Sequence, residues 1–401
     1  LNLSTLQIGL RKVPTFGDLD GDGDKDMILS LENGGLSYYA NTSVAPGITF
    51  ANPVINMSYN TGAIISTGSY ATPQLFDLDK DGLLDLIIGK KTGELAYYRN
   101  TGSSTVPSFT LENDTLGNID IATTTPDGYA SPHFFRHNDT TYLFLGGVDG
   151  KLHYYTDIDG HLVSGDTFSL YSDNFLDIDA GAYSSFWVND IDNDGFTDLV
   201  TLDMLPESNF DQKMHSGAEN FEKFRYLFSR GFHRQYSRNM LHVNNGYGQF
   251  SEIGQLAGIS NTDWSWSALL KDFDNDGNSD LFVTNGYVRD YTDMDFIKYS
   301  VDHQAELQES GGSSDAMMDY IKTMPGHPMS NYMFRNEGGY IFKNVSHDWG
   351  FDRVGVYSGA SCADLDGDGD LDLVTSVTNG KAGVFLNQSP KDNVSLRFDL
   401  K

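Results

Sequence analysis

Short apolar runs, rather than long amphipathic stretches, dominate the chain. Met27-Ile-Leu29, Leu86-Ile-Ile88, Leu199-Val200, Leu281-Phe-Val283 and Leu371-Asp-Leu-Val374 each stand at the end of an acidic, glycine-containing stretch. Runs this short, bounded by turn residues, predict buried β-strands. A second pattern, Gly-x-Leu-x-Tyr-Tyr, follows the first two runs at Gly34–Tyr39 and Gly93–Tyr98 and recurs at Gly150–Tyr155. One whole unit then reads as four strands: Thr72–Phe76, Leu86–Gly89, Leu95–Asn100 and Ser108–Leu111.

The acidic stretches are copies of one another. Each has the form D-x-D-x-D-G-x-x-D: Asp18, Asp20, Asp22 and Asp26; Asp77, Asp79, Asp81 and Asp85; Asp190, Asp192, Asp194 and Asp198; Asp272, Asp274, Asp276 and Asp280; Asp364, Asp366, Asp368 and Asp372. Turn chemistry accounts for Asp and Gly in general, but not for carboxylates at loop positions 1, 3, 5 and 9 five times over. Crowded carboxylates repel one another unless a cation lies among them. Gly at position 6 permits a sharp turn, and the position-7 carbonyls of Asp24, Leu83, Phe196, Asn278 and Asp370 would add a neutral oxygen. Oxygen ligands alone in a flexible loop favour Ca²⁺ over Mg²⁺, so about five structural calcium ions are expected. An EF-hand is excluded, because position 12 holds Leu29, Ile88, Thr201, Val283 and Thr375 in place of the required Glu.

A sixth copy lacks the acids. Ser131-Pro-His-Phe-Phe135-Arg136 aligns with Thr72-Pro-Gln-Leu-Phe76-Asp77, its loop is two residues shorter, and no calcium is expected there. Copies begin at 18, 77, 136, 190, 272 and 364. Units of 50 to 60 residues with several strands each predict a propeller or a solenoid. The expectation is an all-β, single-domain β-propeller over 1–401 with six four-stranded blades, a seventh being left open. The extra length of the last copies comes from insertions at 204–238 and 288–330, with helical spacing in Glu219–Ser229 and Asp293–Glu309. Repeat style changes near residue 186.

Composition narrows the function. The 401 residues carry 26 Lys+Arg against 56 Asp+Glu, a formal charge of −30, which argues against nucleic acid or an anionic membrane as a partner. No apolar run reaches membrane-spanning length. The chain opens on Leu1 with no initiator Met or export segment, so a trimmed product is expected. The single cysteine, Cys362, excludes an internal disulfide framework and reads as a small core residue.

With a strand on each side, the D-x-D-x-D-G-x-x-D loop resembles the FG-GAP/VCBS repeats of integrin-α-like calcium-binding β-propellers, from about Val13 to Leu386. The resemblance implies calcium between the first and second strands of a blade, an extracellular or cell-surface location, and roles in adhesion or glycan binding. Thr201-Leu-Asp-Met-Leu-Pro-Glu207, Asn261–Ser267 and Asn285–Asp290 resemble a bacterial surface-protein subgroup. That implies the outer-membrane surface of a Gram-negative bacterium, with a glycan or a surface or outer-membrane uptake protein as partner.

Strand alternation then sets a direction. Calcium loops join strands A and B, whereas both insertions join B and C and therefore lie at the opposite end of the blades. Tyr70, Tyr129, Tyr183 and Tyr357 stand seven residues before a loop, with Trp264 and Arg11 in the corresponding regions of other copies. An aromatic collar at the channel mouth would stack on sugar rings; the alternative is packing between blades. His215, His233 and His242 beside Arg230, Arg234 and Arg238 suggest zinc or an acid–base pair, but no catalytic motif accompanies them, so no catalytic residue is assigned. The preferred reading is a non-catalytic binding module, and the alternative is a polysaccharide lyase, hydrolase or accessory domain.

Overall fold

A computed structural model describes residues 13–389 except short internal stretches, chiefly 44–47, 123–126, 176–185, 216–220, 231–235 and 300–321. The strands form six antiparallel sheets, each in sequence order. Blade one holds β1 (Pro14–Gly17), β2 (Asp26–Ser30), β3 (Leu36–Tyr39) and β4 (Val54–Ile55). Blade two holds β5 (Thr72–Phe76), β6 (Asp85–Gly89), β7 (Leu95–Asn100) and β8 (Phe109–Asn113). Blade three holds β9 (Ser131–His137), β10 (Thr140–Gly146), β11 (Leu152–Thr156) and β12 (Ser169–Ser172). Blade four holds β13 (Phe186–Asn189), β14 (Asp198–Thr201), β15 (Met240–Asn244) and β16 (Phe250–Glu252). Blade five holds β17 (Ser265–Lys271), β18 (Asp280–Asn285), β19 (Tyr332–Asn336) and β20 (Phe342–Asn344). Blade six holds β21 (Tyr357–Ala363), β22 (Asp372–Val377) and β23 (Gly383–Phe385) among the described residues.

Burial explains the sequence pattern. The apolar runs are the second strands; every residue of β2, β6 and β18 is buried, because each of these strands lies inside its sheet and between blades. The first strands are sheet edges, so Pro14, Pro73 and Pro132 sacrifice no necessary ladder bond. First strands of neighbouring blades pack together, and between β9 and β13 the rings of His133 and Trp187 meet at 5.6 Å. The core lies between the blades: Leu78, Ile87, Tyr97, Phe134 and Leu143 join blades two and three, and Val200, Leu241, Leu270 and Leu281 join four and five.

The ring closes at six blades. β1 packs against β21, and Met27, Leu29 and Tyr39 of blade one share a cluster with Ala363, Leu365 and Val374 of blade six. Asn41 Nδ2 donates to the Leu365 carbonyl at 3.0 Å. This removes the seventh blade left open from the sequence.

Both insertions leave from the second strand and return to the third. The first carries α1 (Asn209–Met214) and α2 (Phe221–Ser229); α3 (Gly254–Ala257) precedes β17. Of the helix expected over Asp293–Glu309, residues 294–299 are helical and most of the remainder lies outside the described residues. A β-bridge between His215 and Asp293 joins the two insertions. No helix among the described residues is long and apolar enough to cross a membrane.

Candidate metal loops and the opposite face

The five acidic loops are built alike. Glycine at position 6 takes positive φ in Gly23, Gly82, Gly195, Gly277 and Gly369 (88° to 97°), a conformation that a β-carbon would strain. Its N–H donates to the position-1 carboxylate, as from Gly277 to Asp272 Oδ2 at 2.9 Å and from Gly23 to Asp18 Oδ2 at 3.1 Å. The position-7 N–H donates to the position-5 carboxylate, at 2.8 Å from both Phe196 to Asp194 and Asn278 to Asp276. Asp24, Leu83 and Asp370 repeat this bond. The loop therefore wraps its own backbone around the first three acids and gathers them.

One oxygen each from Asp18, Asp20 and Asp22 lies within 4.8 Å of the others, and the same holds for Asp190, Asp192 and Asp194 and for Asp272, Asp274 and Asp276. In the second loop the grouping is Asp77, Asp79 and Asp85. Asp364, Asp366 and Asp368 sit in the equivalent loop of blade six, where Gly369 donates to Asp364 Oδ2 at 3.1 Å. Burial, then the charges of neighbouring acids, pushes the position-3 carboxyls of Asp20, Asp274 and Asp366 above their ordinary range. Asp77 Oδ1 and Asp366 Oδ1 are shielded from solvent without a hydrogen-bond donor. Crowded acids with undonated buried oxygens fit a hard divalent cation.

Position 9 plays a different part from its neighbours. Asp26, Asp85, Asp198, Asp280 and Asp372 are at most 1% exposed. Their Oδ2 atoms accept the position-2 N–H of Leu19, Leu78, Ile191, Phe273 and Leu365 at 2.8 to 3.1 Å. Their Oδ1 atoms accept the N–H of Asn41, Asn100, Asn244, Asn336 and Asn387 at 2.8 to 2.9 Å. Burial pushes Asp85 and Asp198 up to about 6 and Asp280 and Asp372 up to about 7, although these backbone bonds pull the other way. Each asparagine returns its side-chain amide to the position-8 carbonyl, as Asn244 does to Thr197 at 3.2 Å. This strut ties loop to third strand, and the sequence reading missed it. Asn-x-Gly or Asn-x-Ser at the end of every such strand was the available signal.

The second loop has its own cation. Arg99 Nε lies 2.5 Å from Asp79 Oδ2, and its guanidinium reaches Asp81 at 3.3 Å. The acid-free copy is a tight hairpin whose two turn residues, Asn138 and Asp139, both have positive φ, as a type I′ turn requires. Arg136 points instead to the Asp77 carbonyl, at 2.6 Å.

On the opposite face the collar is only partly present. Tyr70 and Tyr129 pack edge to face at 5.1 Å, and Lys91 sits 5.7 and 5.8 Å from their ring centres. Trp264 lies against Tyr287 at 4.2 Å. Tyr357 is 1% exposed and donates its hydroxyl to the Arg353 carbonyl, so it is a packing residue and leaves the candidate binding set. Tyr183, Arg11, His233 and Arg234 lie outside the described residues. His242 is on β15, where burial holds its pKa down, apart from His215. Cys362, half-buried on β21, has its thiol pushed up to about 11 by burial.

Residues 226–283, which include the fourth loop, match the FG-GAP-like repeat family. No curated protein sequence matches the chain. Among solved structures, a lectin from Agrocybe aegerita described as recognising non-reducing terminal N-acetylglucosamine has a TM-score of 0.44 at 16% identity, over 94% of this chain and 80% of the lectin. The Photorhabdus luminescens Tc holotoxin pore has a TM-score of 0.44 at 14% identity, over 94% of this chain and 14% of its own. A biofilm matrix protein of V. cholerae has a TM-score of 0.30 at 13% identity, over 70% of this chain and 36% of its own.

Proposed function

We propose that this FG-GAP-like β-propeller is a non-catalytic binding module of the cell exterior, stabilised by calcium on one face and binding a glycan or a surface protein on the other. The observation that carries the reading is the division of labour between the two ends of the blades. At one end, five loops gather three acids each onto a common backbone frame. At the other, two insertions from adjacent blades meet through the His215–Asp293 bridge, beside Trp264 and Tyr287.

Calcium would be held by the carboxylates at positions 1, 3 and 5 with the position-7 carbonyl, and would supply the positive charge that these acids otherwise lack. The position-9 acid anchors the loop to the sheet, and in the second loop Asp85 also stands with Asp77 and Asp79 as a ligand. In the second loop Arg99 competes for the same acids, so that site is the weakest of the five. A rim beside the half-buried Trp264 would offer the partly apolar surface that ligands favour. An exterior, outer-membrane setting in a Gram-negative bacterium follows from the subgroup resemblance and agrees with the strongly acidic surface.

The test is a glycan array and a surface-protein pull-down with the calcium-loaded chain, compared with a chain lacking Asp293–Met324. Binding that is lost on deletion, with calcium-dependent melting retained, supports the reading. Binding that survives the deletion, or that crosslinks to the acidic loops, overturns the assignment of faces.

A further inference from the structure

Where the two insertions meet, three side chains from distant parts of the sequence converge. His215 follows α1, Asp290 follows β18, and His327 closes the second insertion by exchanging backbone hydrogen bonds with Tyr287 at 3.0 and 3.1 Å. One donor atom of each lies within 4.8 Å of the other two. The imidazoles stand edge to face at 5.3 Å.

Two buried carboxylates face these rings. Asp290, 2% exposed, takes three hydrogen bonds on Oδ1, from the Thr292 N–H (2.8 Å), the Thr292 hydroxyl (2.7 Å) and the Asp293 N–H (3.0 Å). That leaves Oδ2 turned to His215 Nδ1 at 3.5 Å. Asp263, 5% exposed and held at φ 65°, takes the Trp264 N–H on Oδ1 at 2.7 Å and presents Oδ2 to His327 Nε2 at 3.5 Å. In each acid, one oxygen is fixed by the backbone and the other is aimed at an imidazole.

The distances decide what the cluster is for. His215 Nδ1 and Asp290 Oδ2, 3.5 Å apart, are too far for a good hydrogen bond. Two donors bound to one tetrahedral zinc at about 2.0 Å stand about 3.3 Å apart, close to the His215–Asp290 separation. Imidazole nitrogens also exclude calcium, which takes oxygen ligands, and favour a zinc-class cation. Access remains open, since the His215 and His327 side chains are 15% and 29% exposed.

We propose that His215, Asp290 and His327 form a binding site for a zinc-class divalent cation, with Asp263 as the residue that positions His327. The site is independent of the calcium reading, because no loop acid takes part. The ion would staple the first insertion to the second across blades four and five, beside the Trp264–Tyr287 pair. An open position on the metal would then face the same rim on which a partner is expected to dock.

The test uses the full chain, stripped of transition metals and kept in excess calcium. Titration with Zn²⁺ should give one saturable equivalent by calorimetry, and Co²⁺ should give the visible absorption of a four- or five-coordinate ion. His215→Ala and His327→Ala should each abolish that equivalent, and Asp263→Asn should weaken it about 10- to 100-fold. Wild-type circular dichroism in the variants establishes that they are folded. If a variant fails to fold, the Co²⁺ spectrum of the wild-type chain decides by itself. No saturable Zn²⁺ binding, a featureless Co²⁺ spectrum, or undiminished binding in both folded histidine variants would overturn the proposal.

Discussion

Asp280 and Asn336 are 56 residues apart, yet the Asn336 N–H donates to Asp280 Oδ1 at 2.9 Å, with the acid fully buried. The Asn336 side chain completes the exchange by donating to the Ser279 carbonyl at 3.2 Å. The last acid of the loop is thus a component of the sheet.

Asp280→Ala should therefore destabilise the protein even without metal. It strands the N–H groups of Phe273 and Asn336, at about 1–3 kcal/mol each. Asp276→Ala, at an exposed position of the same loop, should cost well under 1 kcal/mol in chelator and more in calcium. Urea melts of both variants in both conditions provide the check. Equal costs in chelator would contradict the strut.

Acidity should act on the metal-free protein in an unusual direction. The folded-state pKa values of Asp280 and Asp372 are raised to about 7 and those of Asp85 and Asp198 to about 6, above an unfolded value near 4. Raised carboxyls contribute stability that is complete below about pH 4 and is lost as pH climbs through 6 to 7. Chelated protein should melt at a higher temperature at pH 5 than at pH 7.5. Calcium should flatten or reverse that slope, and Asp280→Asn should shrink it in chelator. Thermal melts across pH, with and without chelator, measure all three.

Removing Arg99 should free the second loop. Arg99→Gln takes away the cation beside Asp79 and Asp81 and should raise calcium affinity there severalfold. Calorimetry of the variant against wild type reads this directly; unchanged binding isotherms would mean that Arg99 does not compete.

The hairpin without acids should respond to turn chemistry alone. Asn138→Val forces a β-branched residue into φ 47° and should cost about 1 kcal/mol or more, equally in calcium and in chelator. A cost that depended on metal would place an ion in blade three.

Much of this architecture can be read from the sequence, because it is repeated at short range. The loop spacing, the buried second strands and the end of the blade that carries the insertions all follow from neighbours a few residues apart. The struts are harder to see, since Asp26 and Asn41 or Asp280 and Asn336 pair across 15 to 56 residues of different loop lengths. His215 was legible only as part of a basic, histidine-rich insertion. Its partners Asp290 and His327 come from the neighbouring insertion, and nothing local links them. Tyr357 fits the same spacing as Tyr70, yet it is buried against Gly355 while Tyr70 is half-exposed, because spacing along a strand does not report what packs above it.

The contact between Asn41 and the Leu365 carbonyl spans 324 residues. During synthesis, the apolar side of blade one, with Met27, Leu29 and Tyr39, has no permanent cover until Ala363, Leu365 and Val374 have been made. Closure thus waits for partners 324 residues further along the chain, and contacts so distant in sequence make folding slow. The unfinished ring presents sticky apolar surface until blade six has been made, which gives chaperone holding, or passage across a membrane before folding, a direct bearing on yield.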